Sequence, residues 1–249
     1  MTARDIHSLA DAVVEIAEKG RGLSVEDVRL LLKRVRTLFQ TAAIQAGLDE
    51  DQIKKLSAKF RDAGRRSAPW KAFSTTVPGR PQDGADGNRI NRWELPEGHK
   101  FYADEITATL VEIKFFLHAL AMDGAPEIAH ERFQRVFVPW LVEHRVVPGD
   151  YIEPIQLISV DLPTIIADRR RITSGHIIPL DREGGTHTPE NCFLIFGRSN
   201  QLQGNMTVPE LLTLADELVA RHKANGTFPA SPEVPSEGLV KGGEAALDA

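Results

Sequence analysis

Two short apolar runs, Ile172-Thr-Ser-Gly-His-Ile-Ile178 and Cys192-Phe-Leu-Ile-Phe196, flank a polar connection that contains Gly184-Gly185. Runs of this length, rich in β-branched and aromatic residues, suit strands better than helices, and paired glycines let the chain reverse between them. Behind the second run, the polar stretch Gly197-Arg-Ser-Asn-Gln-Leu-Gln203 has room for the first turn of a crossing helix. The spacing therefore predicts a hairpin followed by a short helix. The chain's one cysteine, Cys192, excludes an internal disulfide and any Cys-x-x-Cys zinc knuckle, so packing alone must hold this unit, with Cys192 itself packed as a small hydrophobe.

The rest of the chain reads mainly as helix. Residues 5–19 repeat apolar side chains at helical spacing up to Gly20, and Ser24-Val-Glu-Asp27 reads as a capping box opening a longer helix through Phe39 to Gly47. A third helix runs from Asp49 to about Ala63, completing a helical unit over 1–66. Residues 67–99 hold Pro78-Gly79, Asp83-Gly84 and Asp86-Gly87-Asn88, the signals of a linker or long loop. A second helical region, 100–150, contains helices at 103–121 and 126–143, the latter disturbed by Pro139. Extended structure begins at Tyr151, through Ile155–Val160 and Ile165-Ile166, and introduces a module over 151–226. Thr207-Val-Pro-Glu210 is another capping box, opening a helix to about Lys223. The tail, 227–249, has too little apolar content to order itself. The expected fold class is α+β: a mainly helical amino-terminal and central region, then a small two-strand-and-helix module and a carboxy-terminal helix.

A formal charge of −5 argues against a surface devoted throughout to nucleic acid. Charge is nevertheless concentrated locally. Lys54, Lys55, Lys59, Arg61, Arg65, Arg66, Lys71 and Arg80 meet only Asp62, and Arg169-Arg170-Arg171 lead into the first apolar run. The absence of an eighteen-residue apolar run and of a basic-then-apolar start predicts a cytoplasmic chain without a membrane span.

Residues 172–208 resemble the HNH (ββα-metal) nuclease motif. His176-Ile-Ile-Pro-Leu180 is similar to the family's His-Ile-x-Pro-Leu, Gly184-Gly185 to its Gly-Gly loop, Asn191 to its central Asn, and Asn200 to its final His or Asn. The resemblance covers about 35 of the 249 residues. It implies an endonuclease that hydrolyses DNA phosphodiester bonds with Mg²⁺ or Mn²⁺, with His176 as general base, Asn191 fixing the loop that places it, and Asn200 on the metal.

The chemistry of these residues agrees with that expectation. Hydrolysis of a phosphodiester needs a water deprotonated near neutral pH, and an imidazole with an ordinary pKa near 6.5 can take that proton. A neutral amide oxygen such as that of Asn200 suits a hard ion that keeps most of its waters. Arg170, Arg171 and Arg198 are candidate phosphate contacts, though Arg198 could instead pair with Glu190. His187 could reach a phosphate or a metal, or be solvated. The chain departs from many family members at Gly175, where they carry a metal-binding Asp; Asp181, Asp168 or His187 are candidates to supply the missing contact. That departure keeps a rival open, a catalytically inactive DNA-binding or assembly protein on the same scaffold, and an Asp placed at 175 is the substitution expected to separate the two. DNA is the expected partner. Two cuts on a duplex would suit a homodimer, yet no heptad seam is long enough to require one.

Overall fold

Ser24 starts the longest helix for the reason its sequence gives. Its hydroxyl accepts from the Asp27 backbone N–H at 3.2 Å while the Asp27 carboxylate accepts from the Ser24 N–H at 3.1 Å, the two halves of a capping box. This helix, α2 (Val25–Gln45), follows α1 (Ile6–Ala17) and precedes α3 (Glu50–Gly64), which Asp49 caps through the Gln52 N–H. In the computed structural model, residues 6–67 and 90–227 are described, so most of the expected linker and of the expected tail lie outside the described residues.

The centre of the fold is α4 (Glu105–Leu120), capped by Asp104 and buried on nearly every side. A helix enclosed all round needs apolar residues all round, and Ala108, Val111, Ile113, Phe115, Phe116, Leu117, Ala119 and Leu120 supply them. Phe116 packs 5.4 Å from Phe39 of α2 and 5.2 Å from Phe60 of α3, ring centre to ring centre. Helices α3 and α4 come close because Gly64 has no side chain: a Cβ there would lie 2.8 Å from the Glu112 backbone. Glu112 is itself fully buried, its carboxyl pushed up by burial, and the Arg65 guanidinium donates to it.

The linker's ends are joined. Strand β1 (Arg66–Ser67) pairs antiparallel with β2 (Ile90–Asn91), so the chain leaves and re-enters the helical core at one place. After α4 the structure differs from the sequence expectation three times. The helix expected over 126–143 shortens to α5 (Glu131–Val136), because the His130 ring caps its start by accepting from the Phe133 N–H, and Pro139 offers no N–H to continue it. Ile165 and Ile166, expected as extended, lie in α6 (Leu162–Ala167); Asp161 accepts from the Thr164 N–H and Pro163 occupies the first turn. Of the expected extended run 155–160, only Ser159 joins an isolated antiparallel bridge, to Ile152, and the Glu153 carboxylate turns the chain by accepting from the Ile155 and Gln156 N–H groups.

Strand β3 (Ile172–His176) pairs antiparallel with β4 (Cys192–Phe196), and α7 (Gly197–Gln203) follows directly, giving the strand–strand–helix order expected. Ile172, Cys192 and Leu194 join the same hydrophobic core as α4. The fold class is α+β as the sequence indicates. The chain divides at Pro209 into two units, Met1–Pro209 and Glu210–Ala249, and the described part of the second is almost entirely α8 (Val208–Ala224). None of the described helices is long and apolar enough to cross a membrane.

Candidate functional site

The hairpin register places His176 directly opposite Cys192. Directly opposed residues share one face of a two-stranded sheet, so these side chains are neighbours by construction. The connecting loop, 177–191, brings in His187, whose Nδ1 lies 3.1 Å from His176 Nε2 and 3.3 Å from Cys192 Sγ.

Asn191 holds the loop in shape. Its Oδ1 accepts from the Ile178 N–H at 2.7 Å, and its Nδ2 donates to the carbonyls of Ile178 at 2.9 Å and Thr186 at 2.8 Å. Gly185 is needed beside it, because a Cβ there would sit 2.0 Å from the Pro179 carbonyl oxygen. Asn191→Ala removes all three side-chain bonds from a nearly buried position; at about 1 kcal/mol for each, the variant is expected to be roughly 3 kcal/mol less stable. Urea unfolding of the two proteins side by side measures this, and a loss below about 1 kcal/mol would mean that solvent replaces the asparagine.

The proton positions follow from the partners. His187 Nε2 lies 2.7 Å from the Gly64 carbonyl oxygen, which can only accept, so His187 carries its proton on Nε2 and a lone pair on Nδ1. His176 must therefore donate to it from Nε2, which leaves the lone pair of His176 on Nδ1. That nitrogen has no hydrogen-bond partner among the described residues and is not fully buried. Burial, and then the nearby Arg92 charge, lowers the His176 pKa to about 4 and holds that of His187 well below the usual range. Both rings are neutral at pH 7. Cys192 is a thiol, its pKa raised by burial to about 12.

Arg92 and Gly64 tie this hairpin to the helical region. The buried Arg92 guanidinium donates to the carbonyls of Gly64 at 2.9 Å, Ala63 at 3.2 Å and Phe101 at 3.1 Å. Neither residue carries a sequence signal of such a role. Two others could have been found: Cys192 from the hairpin register, and Gln203 from its position three residues beyond Asn200. Gln203 Nε2 donates to the His176 and Ile177 carbonyls at 2.9 and 3.0 Å, seating α7 on the end of β3.

Asn200 lies one turn before Gln203 and is exposed. Its amide oxygen suits a hydrated hard ion shared with a phosphate. The nitrogen and sulfur donors behind His176 do not, since Mg²⁺ prefers oxygen. The carboxylates named as substitutes are committed elsewhere: Asp181 pairs with Lys100 at 2.8 Å and Asp168 with Arg170 at 3.0 Å. His187 is buried rather than solvated. An Asp at 175 is also not a simple repair, because even a Cβ there would lie 2.0 Å from Ile195 Cδ1 and 2.7 Å from its Cγ1, and Ile195 is itself buried.

Part of the basic cluster is taken up by the fold, while Lys54 and Lys55 stay exposed and Lys71 and Arg80 lie outside the described residues. Lys59 Nζ donates to the Arg169 carbonyl at 2.6 Å and also to that of Ile172, Lys54 pairs with Glu50, Arg61 with Asp62, and Arg65 with Glu112. Arg170, Arg171 and Arg198 instead line an open groove of about 480 Å³ with Gln156, Ile158 and Phe196. Arg198 does not pair with Glu190 and makes no ion pair with any described residue.

No family model matches the chain, and no curated protein does. Among solved structures it is similar to a crystal structure of a type II restriction endonuclease, with 18% identity over 69% of this chain and 78% of that one and a TM-score of 0.48.

Proposed function

We propose that this protein is an HNH-type endonuclease that hydrolyses DNA phosphodiester bonds. The observation that carries the reading is the chain of contacts from His176 Nε2 to His187 Nδ1 at 3.1 Å and from His187 Nε2 to the Gly64 carbonyl at 2.7 Å, which assigns His176 a neutral imidazole with its Nε2 proton on His187 and an Nδ1 lone pair that is not fully buried. A water attacking phosphorus gives its proton to that lone pair as the bond to the 3′ oxygen breaks, and the departing oxygen takes a proton from solvent. The imidazolium so formed keeps its Nε2–H on His187 Nδ1, a hydrogen bond that strengthens as charge develops. Asn191 and Gln203 fix the strand end that carries the base. Asn200 would hold Mg²⁺ or Mn²⁺, and such an ion supplies positive charge against the phosphate oxygens.

Arg170, Arg171 and Arg198 line the groove beside α7 and suit the phosphate backbone, a contact that gives affinity without sequence choice. Each phosphate contact contributes roughly 0.9 to the slope of log affinity against log salt. Arg198→Ala is thus expected to weaken DNA binding across unrelated sequences and to reduce that slope by about one. Fluorescence anisotropy at several salt concentrations measures it; an unchanged slope would remove Arg198 from the DNA path.

One observation favours a second reading, an inactive DNA-binding or assembly scaffold: among the described residues the cluster around His176 contains no carboxylate, and Ile195 fills the space where position 175 would place one. Supercoiled plasmid incubated with purified protein and Mg²⁺ or Mn²⁺, beside EDTA and His176→Ala controls, separates the two. Metal-dependent nicking lost in the variant supports the nuclease. Salt-sensitive binding without nicking under any metal supports the scaffold.

A further inference from the structure

We infer that His176, His187 and Cys192 form a site for a soft divalent ion of the Zn²⁺ class, and that its occupancy silences His176. The inference about silencing rests on His176 being the base; the inference about binding does not. His176 Nε2, His187 Nδ1 and Cys192 Sγ all lie within 4.8 Å of one another, with the two shorter separations at 3.1 and 3.3 Å. Ligands bound tetrahedrally to zinc at about 2.0–2.1 Å for nitrogen and about 2.3 Å for sulfur stand roughly 3.3–3.6 Å apart. The two shorter separations need to change by only a few tenths of an ångström, and the third, between His176 and Cys192, closes from no more than 4.8 Å.

Without an ion the cluster is frustrated. The single lone pair on His187 Nδ1 faces two hydrogen donors, the His176 Nε2–H and the Cys192 thiol, and lies in the ring plane where it serves one well. A cation in place of both hydrogens gives all three atoms a partner. The His187 Nε2–H already donates to the Gly64 carbonyl, the outer hydrogen bond that orients a metal-bound histidine. The other donor cluster among the described residues, His7, Asp11 and His130, fails this test: His130 Nδ1 accepts from the Phe133 N–H, so its proton sits on Nε2, the nitrogen a metal would need.

Proton accounting links binding to silencing. The ion takes the Nε2 lone pair of His176, so the ring proton moves to Nδ1 and the lone pair that would accept a proton from water disappears. His187 keeps its Nε2–H. Cys192 loses its thiol proton to solvent, so one proton is released for each ion bound, and affinity should rise about tenfold per pH unit in the neutral range. Arg92 lies close enough to shift all three groups electrostatically, and its charge opposes a dication. The bound ion is therefore exchangeable rather than structural.

Cobalt(II) is the probe, because Cys192 is the chain's one cysteine and any thiolate-to-cobalt charge-transfer band must report it. The full chain should bind one Co²⁺ with that band, Zn²⁺ should displace it, and both Cys192→Ala and His187→Gln should lack it while circular dichroism shows them folded. One equivalent of Zn²⁺ should then stop plasmid nicking at saturating Mg²⁺ in the native chain and leave Cys192→Ala active. Absence of the band, or its persistence in folded His187→Gln, overturns the site. A band without inhibition of an active enzyme overturns the silencing. A band in a protein that never nicks DNA overturns the nuclease reading and leaves the site standing.

Discussion

His176→Ala is expected to lower the rate of phosphodiester cleavage by about 10²–10⁴, the usual contribution of a positioned general base, with little change in the affinity for DNA. The split arises because the ring sits behind the strand end, mostly buried and bonded to His187, while the candidate phosphate contacts lie beside α7. His187→Gln tests the positioning. It replaces the ring Nδ1 by a flexible amide that can donate as well as accept, so the His176 proton is no longer held on Nε2 and a fraction of the protein holds the wrong tautomer; the rate should fall, but less than in His176→Ala. The pH profile distinguishes this from a loss of folding. A base with a pKa of about 4 stays neutral, hence competent, far below the ordinary histidine range, so the acid limb of kcat/KM should not fall near pH 6.5 as it would for a solvated histidine. Single-turnover cleavage from pH 8 to 5, with binding measured at each point, reads both effects. A tenfold drop between pH 7 and 6 without loss of binding would show that His176 titrates as an exposed group and that the buried tautomer is not the working one.

Much of this site can be read from the sequence because its parts are local. The β-branched runs give β3 and β4, the Gly-Gly loop joins them, and Asn191, the residue before β4, is in place to hold that loop. Ser24 and Asp49 mark the helix starts for the same reason, since a cap needs only its neighbours. Ile165 and Ile166 mislead because β-branched residues favour strands on average, whereas an Asp cap and a proline in the first turn decided this case. What the sequence hides is long-range. Gly64 and Arg92 lie more than eighty residues before His176, and no periodicity says that the Gly64 carbonyl will meet His187 with the Arg92 guanidinium on the same oxygen. The basic cluster of α3 shows the opposite error. Read along the chain it is a charged patch, yet in space Lys59, Arg61 and Arg65 satisfy carbonyls and carboxylates of the fold.

The fold should lose stability steeply as pH falls from 6.5 toward 4, through histidines held neutral inside it. His118 is the extreme case: fully buried, neither ring nitrogen bonded, stacked 4.2 Å from Tyr151, with burial and then the Lys114 and His144 charges holding its pKa well below 6.5. His187 is held down in the same way, His144 is lowered by burial, and His176 stands at about 4. For each, the unfolded chain binds a proton near pH 6.5 that the folded chain refuses, so the stability these groups contribute is complete above that pH and drains away as pH falls toward the folded pKa. From 6.5 to about 4, at 1.36 kcal/mol per pH unit, His176 alone accounts for roughly 3 kcal/mol. Glu112 works the other way: its carboxyl is raised by burial, so protonating it on acidification favours the folded state. One such group does not offset four histidines when a domain's whole margin is about 5–15 kcal/mol. Urea unfolding between pH 7.5 and 4.5 should show a falling midpoint at constant slope. His118→Phe, which keeps the ring packing, should flatten that fall by up to one proton's worth, about 1.4 kcal/mol per pH unit. A midpoint independent of pH would mean that these rings take up protons within the folded protein, and with that the neutral His176–His187 pair on which the proposed cleavage chemistry depends would fail as well.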